Sequence, residues 1–133
     1  MKFAKPGQPV RGSQTGRPIM ALLDLLGRRM TLRVVWELSQ AEHPMTFRGL
    51  QAAAQTNPGV LNTRLKELRA AGVVVHDARG YGLSEEGKAL VPLVMPLREW
   101  ADAWGERLGA VHGGVRCTAL KRRGPGKRRA KRR

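Results

Sequence analysis

The chain has 133 residues, with 25 lysines and arginines against 10 aspartates and glutamates, which gives a formal net charge of +15 at pH 7. The length suits one compact domain, and the 41% share of hydrophobic residues excludes a wholly disordered protein. A single cysteine excludes a disulfide scaffold and a multi-cysteine zinc site. No apolar stretch has the roughly 18 residues of a membrane helix, so we expect a soluble cytoplasmic protein.

The positive charge is concentrated at the two ends of the chain. Residues 121–133 carry nine lysines and arginines and residues 1–18 carry four, with no acid in either segment, so the remaining residues hold only +2 of the total +15. Both segments are poor in apolar side chains, so they bury too little apolar surface to offset the conformational entropy lost on ordering. We therefore predict a basic flexible arm over 1–18, a folded domain over 19–112 and a basic disordered tail over 113–133.

The charge of the tail indicates that it binds a polyanion. Nine cations without an acid exceed what solubility requires, and they would release condensed counterions from a nucleic acid. A tail that only aids solubility is an alternative, and an acidic membrane surface is a weaker one because no amphipathic or lipidated segment adjoins the tail. The predicted phosphate contacts are Lys121, Arg122, Arg123, Lys127, Arg128 and Arg129.

The first part of the domain is predicted to be helical. Apolar residues recur at helical spacing from Ile19 to Leu38, and Gly27 separates a first short helix from a second one. Glu42-His43-Pro44 predicts a turn, after which Met45 could add one strand residue. The inner face of the second helix is predicted to carry Leu32, Val35, Trp36 and Leu38.

A third and a fourth helix follow, separated by a tight turn. Thr46 suits the N-cap of a helix from Phe47 to about Ala54, and Asn57 with Pro58 suits the start of a helix that ends at Gly72. Two such helices predict a helix-turn-helix, whose second helix can enter a major groove about 12 Å wide. An ordinary helix with a wet outer face is the alternative. The apolar stripe of the fourth helix is Leu61, Leu65 and Leu68, its opposite face is Gly59, Asn62, Thr63 and Lys66, and its flanks are Arg64 and Arg69.

A β-hairpin is predicted directly after the fourth helix. Val73-Val74-Val75 is a β-branched run, Ala78-Arg79-Gly80 is a turn, and Tyr81-Gly82-Leu83 can return as a second strand. Such a hairpin would be the wing of a winged helix, with Arg79 at its tip either touching phosphate or a minor groove or simply solvated. The predicted fold class is α+β, mostly helical, a winged helix-turn-helix with a short two- to three-stranded wing and a long C-terminal dimerisation helix.

The last helix begins after Ser84 and contains Pro92 and Pro96, which predict a kink or break. Trp100 and Trp104 stand four residues apart on one face. This helix is more apolar than a small core needs, which favours a subunit interface over packing within one chain. The predicted interface includes Leu93, Leu97, Trp100 and Trp104.

Four segments in order resemble the HxlR-type winged-helix transcriptional regulators, relatives of the MarR group. The resemblance runs from about Ile19 to Trp104 and implies a DNA-binding homodimer built from the N- and C-terminal helices, which adds Leu22 to the interface. By position it implies the recognition residues Asn62, Thr63, Arg64 and Lys66. The segments are Leu26–Thr31 (family Leu-Ile-Gly-Gly-Lys-Trp-Thr), Phe47–Leu50 (Phe-x-Glu-Leu), Val60–Leu68 (Leu-Thr-x-Arg-Leu-Lys-Glu-Leu) and Tyr81–Gly87 (Tyr-x-Leu-Thr-x-x-Gly).

The chain departs from this pattern in several places. Met30 occupies a usual tryptophan position, Gly49 replaces an acidic residue, and the wing is shorter and lacks a proline-containing segment. Redox-sensing members have a cysteine near the first helix, whereas Cys117 lies beyond the last one, so a redox mechanism does not carry over. Cys117 is interpreted as an inert exposed thiol rather than a reactive one.

The sequence shows no constellation of catalytic residues. His43, His76 and His112 are far apart and lack metal-ligand spacing, and neither a phosphate-binding glycine loop nor a Ser-His-Asp order is present. Glu85-Glu86 suits a helix N-terminus. We therefore expect no enzyme, no metal and no cofactor, and the identity of any small-molecule effector stays open.

Together these patterns favour a sequence-specific, homodimeric transcriptional regulator, associated with the nucleoid when bound to DNA. The basic arms would grip phosphates, while Asn62 could pair with adenine and Lys66 could reach guanine. An architectural nucleic-acid binder dominated by the tail and a protein-interaction module are the alternatives. The predicted DNA-binding residues of the domain are Thr56, Asn57, Asn62, Thr63, Arg64, Lys66 and Arg79.

Overall fold

The computed structural model describes residues 3–109, in two compact units that divide after Leu97. The elements of the described chain are α1 (Pro18–Leu26), α2 (Thr31–Gln40), α3 (Phe47–Ala54), α4 (Pro58–Ala70), β1 (Val74–Asp77), β2 (Gly80–Leu83) and α5 (Glu85–Arg107). The first unit holds every element except the C-terminal part of α5, which belongs to the second unit. The predicted mostly helical winged helix-turn-helix is confirmed.

The helix-turn-helix forms because each of its helices is capped by a side chain. Thr46 accepts a hydrogen bond from the backbone N–H of Gly49 at 3.1 Å, and Asn57 accepts one from Val60 at 2.8 Å. Each cap satisfies one of the N–H groups that a helix start leaves without a partner. Between the helices, Gln55 adopts a left-handed conformation with φ of 52° and ends α3. Both caps were expected from the sequence.

The core of the first unit is made by α2, α3 and α4. Its largest fully buried side chains include Leu50 and the predicted leucine stripe of α4 (Leu61, Leu65 and Leu68). The prediction for α2 was partly wrong, because Leu32 is 43% exposed. At 100° per residue, Leu32 lies about 110° from the centre of the buried stripe. That stripe consists of Thr31, Val34, Val35 and Leu38.

The wing is a two-stranded antiparallel sheet with one additional bridge. Val74 pairs with Leu83 and Asp77 with Gly80, and Met45 exchanges two backbone hydrogen bonds of 2.8 and 2.9 Å with Tyr81. The strand residue expected at Met45 is therefore present. Gly80 makes this close approach feasible, since a Cβ atom there would lie 2.4 Å from the carbonyl oxygen of Met45.

α5 begins at the predicted cap and continues past both prolines. The hydroxyl of Ser84 accepts a hydrogen bond from the backbone N–H of Gly87 at 3.1 Å. A kink or break was predicted at Pro92 and Pro96, and no break occurs, since the helix extends from Glu85 to Arg107. The two prolines are exposed and four residues apart, hence on one side of the helix. The carbonyls that lose a partner can therefore turn to water, which lowers the cost of each proline.

The N-terminal segment lies against the first unit, whereas its composition predicts a flexible arm. Ala4 is only 5% exposed and belongs to the core cluster, and Val10 packs against that cluster. The backbone N–H of Gly7 donates to the carbonyl of Gly16 at 2.8 Å, and Val10 and Ser13 exchange two further hydrogen bonds. Part of this segment thus packs on the core through two small apolar side chains, while the flexible arm over 1–18 stays a prediction. The predicted tail lies outside the described residues.

Candidate nucleic-acid interface

The outer face of α4 offers polar side chains to solvent. Asn62 and Lys66 are exposed, and neither has a hydrogen bond or ion pair within residues 3–109. Thr63 is half-buried, and its hydroxyl donates to the carbonyl of Gly59 at 3.0 Å. This bond holds the hydroxyl proton along the helix and leaves the methyl group and the oxygen lone pairs for a partner. The face opposite the leucines is therefore able to exchange hydrogen bonds with a ligand.

The turn before α4 has a structural task of its own. The side-chain oxygen of Asn57 caps α4, so its amide nitrogen and one lone pair of that oxygen remain for an outside partner. Thr56 is half-buried. Both predicted DNA-binding residues of the turn stand beside the N-terminus of α4, where the helix dipole favours an anion such as phosphate.

Arg64 differs from the other predicted residues of α4 because its guanidinium is committed within the chain. Its Nε donates to the backbone carbonyl of Arg29 at 2.7 Å, and a terminal nitrogen forms a short ion pair with Glu67. Glu67 also accepts a hydrogen bond from Arg28 at 2.6 Å. α4 thus has one flank whose charges are paired within the chain and an outer face whose Lys66 is not.

Arg28 completes this arrangement by reaching α1. It pairs with Asp24 at 2.8 Å as well as with Glu67. Burial lowers the pKa of Arg28, but its hydrogen bonds and charge interactions with Asp24 and Glu67 together raise that pKa above the usual arginine value. The i, i+3 spacing of Arg64 and Glu67 was a signal for one pair. Nothing in the sequence indicated the contact with Arg28, 39 residues before Glu67.

Arg79 lies at the tip of the wing, as predicted. Its backbone N–H and its guanidinium both bond Asp77, at 2.8 and 3.1 Å. These bonds, the backbone one foremost, lower the pKa of Asp77. Both side chains are largely exposed, so the guanidinium of Arg79 can change partners at little cost.

Several exposed cations of the first unit have no ion pair among its described residues. Arg48 is the one that sequence reasoning overlooked, and it stands in the first turn of α3. In helix-turn-helix proteins the first helix crosses the DNA backbone, so its position was a usable signal. The cations without an acidic partner are Lys5, Arg11, Arg17, Arg29, Arg48, Lys66 and Arg69.

Large apolar side chains are exposed on α1 and on α5. Ile19 and Leu23 of α1 are more than half exposed, whereas the predicted Leu22 is half-buried. In the first unit, α5 exposes Leu93 and Leu97. In the second unit, Trp100 and Trp104 are 59% and 49% exposed and stack with ring centroids 5.7 Å apart. Exposed aromatic surface of this kind is typical of an association site.

The described residues show no other chemical centre. Between 3 and 109, no group of three histidines, cysteines, aspartates or glutamates is arranged to hold a metal ion. Within the same range, no helix combines the length and apolar character needed to cross a bilayer. A cleft of about 460 Å³ lies between the end of α2, the wing and the start of α5, but its cations Arg79 and Lys88 already pair with acids.

Known proteins resemble this chain over the part that contains these features. A family model described as HxlR-like helix-turn-helix matches residues 25–108. The chain is also similar to YvaP, an uncharacterized HTH-type transcriptional regulator of Bacillus subtilis (strain 168). The two are 33% identical over 90 residues, which cover 62% of this chain and 82% of that protein.

Two solved structures have a similar fold. Quinone-bound YodB from B. subtilis matches with a TM-score of 0.60 and 27% identity, over 64% of this chain and 96% of that one. A possible HxlR family transcriptional factor from Thermoplasma volcanium GSS1 matches with a TM-score of 0.58 and 22% identity, over 64% of this chain and 82% of that one, a likeness that bears on the fold alone. Because the family model spans well over half of the sequence, the chain belongs to the HxlR-like helix-turn-helix family of DNA-binding transcriptional regulators.

Proposed function

We propose that the protein is a sequence-specific regulator that binds double-stranded DNA as a homodimer, with α4 in the major groove. The observation that carries this proposal is the outer face of α4, where Asn62 and Lys66 are exposed and have no partner in the described chain. A helix that presents unpaired hydrogen-bonding groups opposite a leucine stripe has the form required for reading base edges.

Base reading is assigned to the outer face of α4. The amide of Asn62 can bond adenine through two atoms, the ammonium of Lys66 can donate to guanine acceptors, and the methyl group of Thr63 can contact thymine. Arg64 is left out of this set, because its guanidinium bonds Glu67 and the Arg29 carbonyl. Thr56 and Asn57 are assigned to the DNA backbone near the start of α4.

Phosphate contacts would supply most of the affinity. Arg48 in the first turn of α3 and Arg79 at the wing tip are the contacts proposed within the domain, because both are exposed cations on elements that flank α4 in the chain. The tail would add contacts from Lys121, Arg122, Arg123, Lys127, Arg128 and Arg129. If six to eight phosphates are neutralised, log affinity falls with log salt at a slope of roughly −5 to −7.

Homodimerisation is proposed through the apolar side chains of α1 and α5. Support comes from the exposure of Leu93 and Leu97 in the first unit and of the stacked Trp100 and Trp104 in the second. Leu22 is retained from the predicted set, and its exposed neighbours Ile19 and Leu23 extend the surface of α1. A dimer would double the reading faces, as required for a two-fold symmetric site.

The test selects a preferred duplex from a random library and measures its affinity beside that of a random duplex. Asn62→Ala and Lys66→Ala should each weaken the preferred complex by about 1–3 kcal/mol and leave the random complex nearly unchanged apart from one charge. Lys88→Ala is the control for Lys66→Ala, because it removes an exposed lysine from the start of α5.

Removal of residues 121–133 separates this proposal from its alternatives. We expect the shortened chain to bind more weakly but to keep its sequence preference. If binding vanishes with the tail and no duplex is ever preferred, the protein is an architectural nucleic-acid binder. If Asn62→Ala and Lys66→Ala leave every DNA complex unchanged but disrupt the capture of a protein partner, α4 is a protein-interaction surface.

A further inference from the structure

Asp24, Arg28, Arg64 and Glu67 form a connected set of ion pairs at one flank of α4, here named the four-charge network. Arg28 is its centre, with one terminal nitrogen 2.6 Å from Glu67 and the other 2.8 Å from Asp24. Arg64 pairs with the second oxygen of Glu67. Two guanidinium groups and two carboxylates balance, so the network carries no net charge.

Burial makes the geometry of this network demanding. The side chains of Glu67 and Asp24 are only 3% and 8% exposed. A carboxylate withdrawn from water costs several kcal/mol unless charged hydrogen-bond donors meet it with good geometry. Each oxygen of Glu67 accepts from a different arginine, so a small displacement of α4 would leave one of these bonds broken in a place that water reaches poorly.

The network connects α4 to the segment that joins α1 and α2. Arg28 donates to Glu67, and Arg64 donates to the carbonyl of Arg29 at 2.7 Å. Two adjacent residues of that segment therefore bond one flank of α4. The leucines of α4 attach it by hydrophobic contacts, which have no preferred direction. The ion pairs, in contrast, form in only one relative orientation of their groups. Thr63 and Lys66 directly precede Arg64 and Glu67, the two residues of α4 that bond this segment. A rotation of α4 about its axis would therefore break these bonds and reorient the outer face at the same time.

We propose that Arg28 is a positioning residue that fixes the rotation of α4 and thereby sets how sharply the protein discriminates DNA sequences. This inference rests on the proposed function, since it assigns a cause to the orientation of the reading face. Arg28 itself touches no DNA in this scheme.

The experiment compares full-length wild type with Arg28→Met, and uses Arg28→Lys as the conservative variant. Affinities are measured for the preferred duplex and a random duplex, at a temperature where each variant is folded by circular dichroism. Arg28→Met should lose at least tenfold in affinity for the preferred duplex and less than threefold for the random one. Arg28→Lys keeps the charge but offers no guanidinium fork, so its loss of affinity for the preferred duplex should lie between those of wild type and Arg28→Met.

Amide hydrogen exchange of α4 provides a readout that does not depend on DNA. We expect faster exchange in α4 of Arg28→Met, with α3 unchanged. A purely structural role would lower both affinities by one common factor, and that result would overturn the inference. An unchanged preference in a folded Arg28→Met variant would overturn it equally.

A wild-type protein that prefers no duplex would contradict the proposed function instead. The hydrogen exchange then decides the inference alone, because unchanged protection of α4 in Arg28→Met would show that Arg28 does not hold the helix. If Arg28→Met does not fold, the duplex affinities and the hydrogen exchange of α4 are measured on Arg28→Lys instead. The expected result is then an intermediate loss of discrimination between the two duplexes.

Discussion

The helices α4 and α5 leave opposite kinds of surface to solvent. α4 buries Leu61, Leu65 and Leu68 and exposes polar groups such as Asn62 and Lys66. α5 instead exposes large apolar side chains, Leu93 and Leu97 in the first unit and two tryptophans in the second. The outer face of α4 suits a partner that exchanges hydrogen bonds, whereas the exposed apolar side chains of α5 suit a partner that excludes water.

Under the proposed function, this contrast would assign DNA binding to α4 and self-association to α5. If the two helices serve these different partners, substitutions on one should leave the function of the other nearly intact.

The largest effect is expected from Trp100→Ala combined with Trp104→Ala. Burial of a large apolar side chain is worth about 1.5–3 kcal/mol, so loss of both should weaken a dimer by about 3–6 kcal/mol, or roughly 10²–10⁴-fold. Sedimentation velocity should show a dimer for wild type and a monomer for the double variant. Glu99→Ala, an exposed change on the same helix, serves as the control and should stay dimeric. A wild type that saturates DNA as a monomer would refute the assignment of α5.

The next effect concerns the inner face of α4. Leu61 is fully buried, so Leu61→Ala should lower the free energy of unfolding by about 2–5 kcal/mol. Urea denaturation followed by circular dichroism measures this change. The adjacent exposed residue supplies the matched control, since Asn62→Ala should stay within about 0.5 kcal/mol of wild type. Equal destabilisation by both variants would mean that the two faces of α4 are not distinct.

A smaller effect is expected at Arg48, which is assigned to phosphate. Arg48→Gln should weaken preferred and random duplexes alike, and the slope of log affinity against log salt should become less steep by about 0.9. Titrations at four or more salt concentrations would measure it, beside Lys88→Gln as a charge control. A loss confined to the preferred duplex would instead make Arg48 a base-reading residue.

The smallest effect concerns pH and the wing tip. The bonds from Arg79 lower the pKa of Asp77 in the folded protein, so their contribution to stability is complete above the unfolded pKa and is lost as pH falls through the folded one. The carboxyl resonance of Asp77 should therefore titrate below the reference value of 3.8. In Arg79→Ala that midpoint should rise. A midpoint at or above 3.8 in wild type would contradict the observed turn.

The helix-turn-helix was predictable because its signals are local. Thr46 and Asn57 act as caps within three residues of their partners, and the leucines of α4 repeat at the helical period. These features depend on neighbours in sequence, which a single chain displays in full.

The four-charge network and the position of the N-terminal segment could not be predicted in this way. An acid such as Glu67 in the middle of a helix is ordinarily exposed, and its burial here depends on the distant Arg28 as well as on Arg64. Leu32 was placed inside because it stands at helical spacing from Val35 and Trp36, whereas the phase of α2 is set by its contacts with α3, β2 and α4. Long-range contacts decided each of these features, and composition carries no information about them.

The burial of Ala4 bears on where this protein can be shortened. The matched family region begins at residue 25, so a fragment cut there would retain every helix of the helix-turn-helix. It would nevertheless lose Ala4 from the interior and the carboxylate of Asp24 that holds Arg28. We therefore expect a fragment cut at residue 25 to be less stable than one that keeps Ala4 and Asp24.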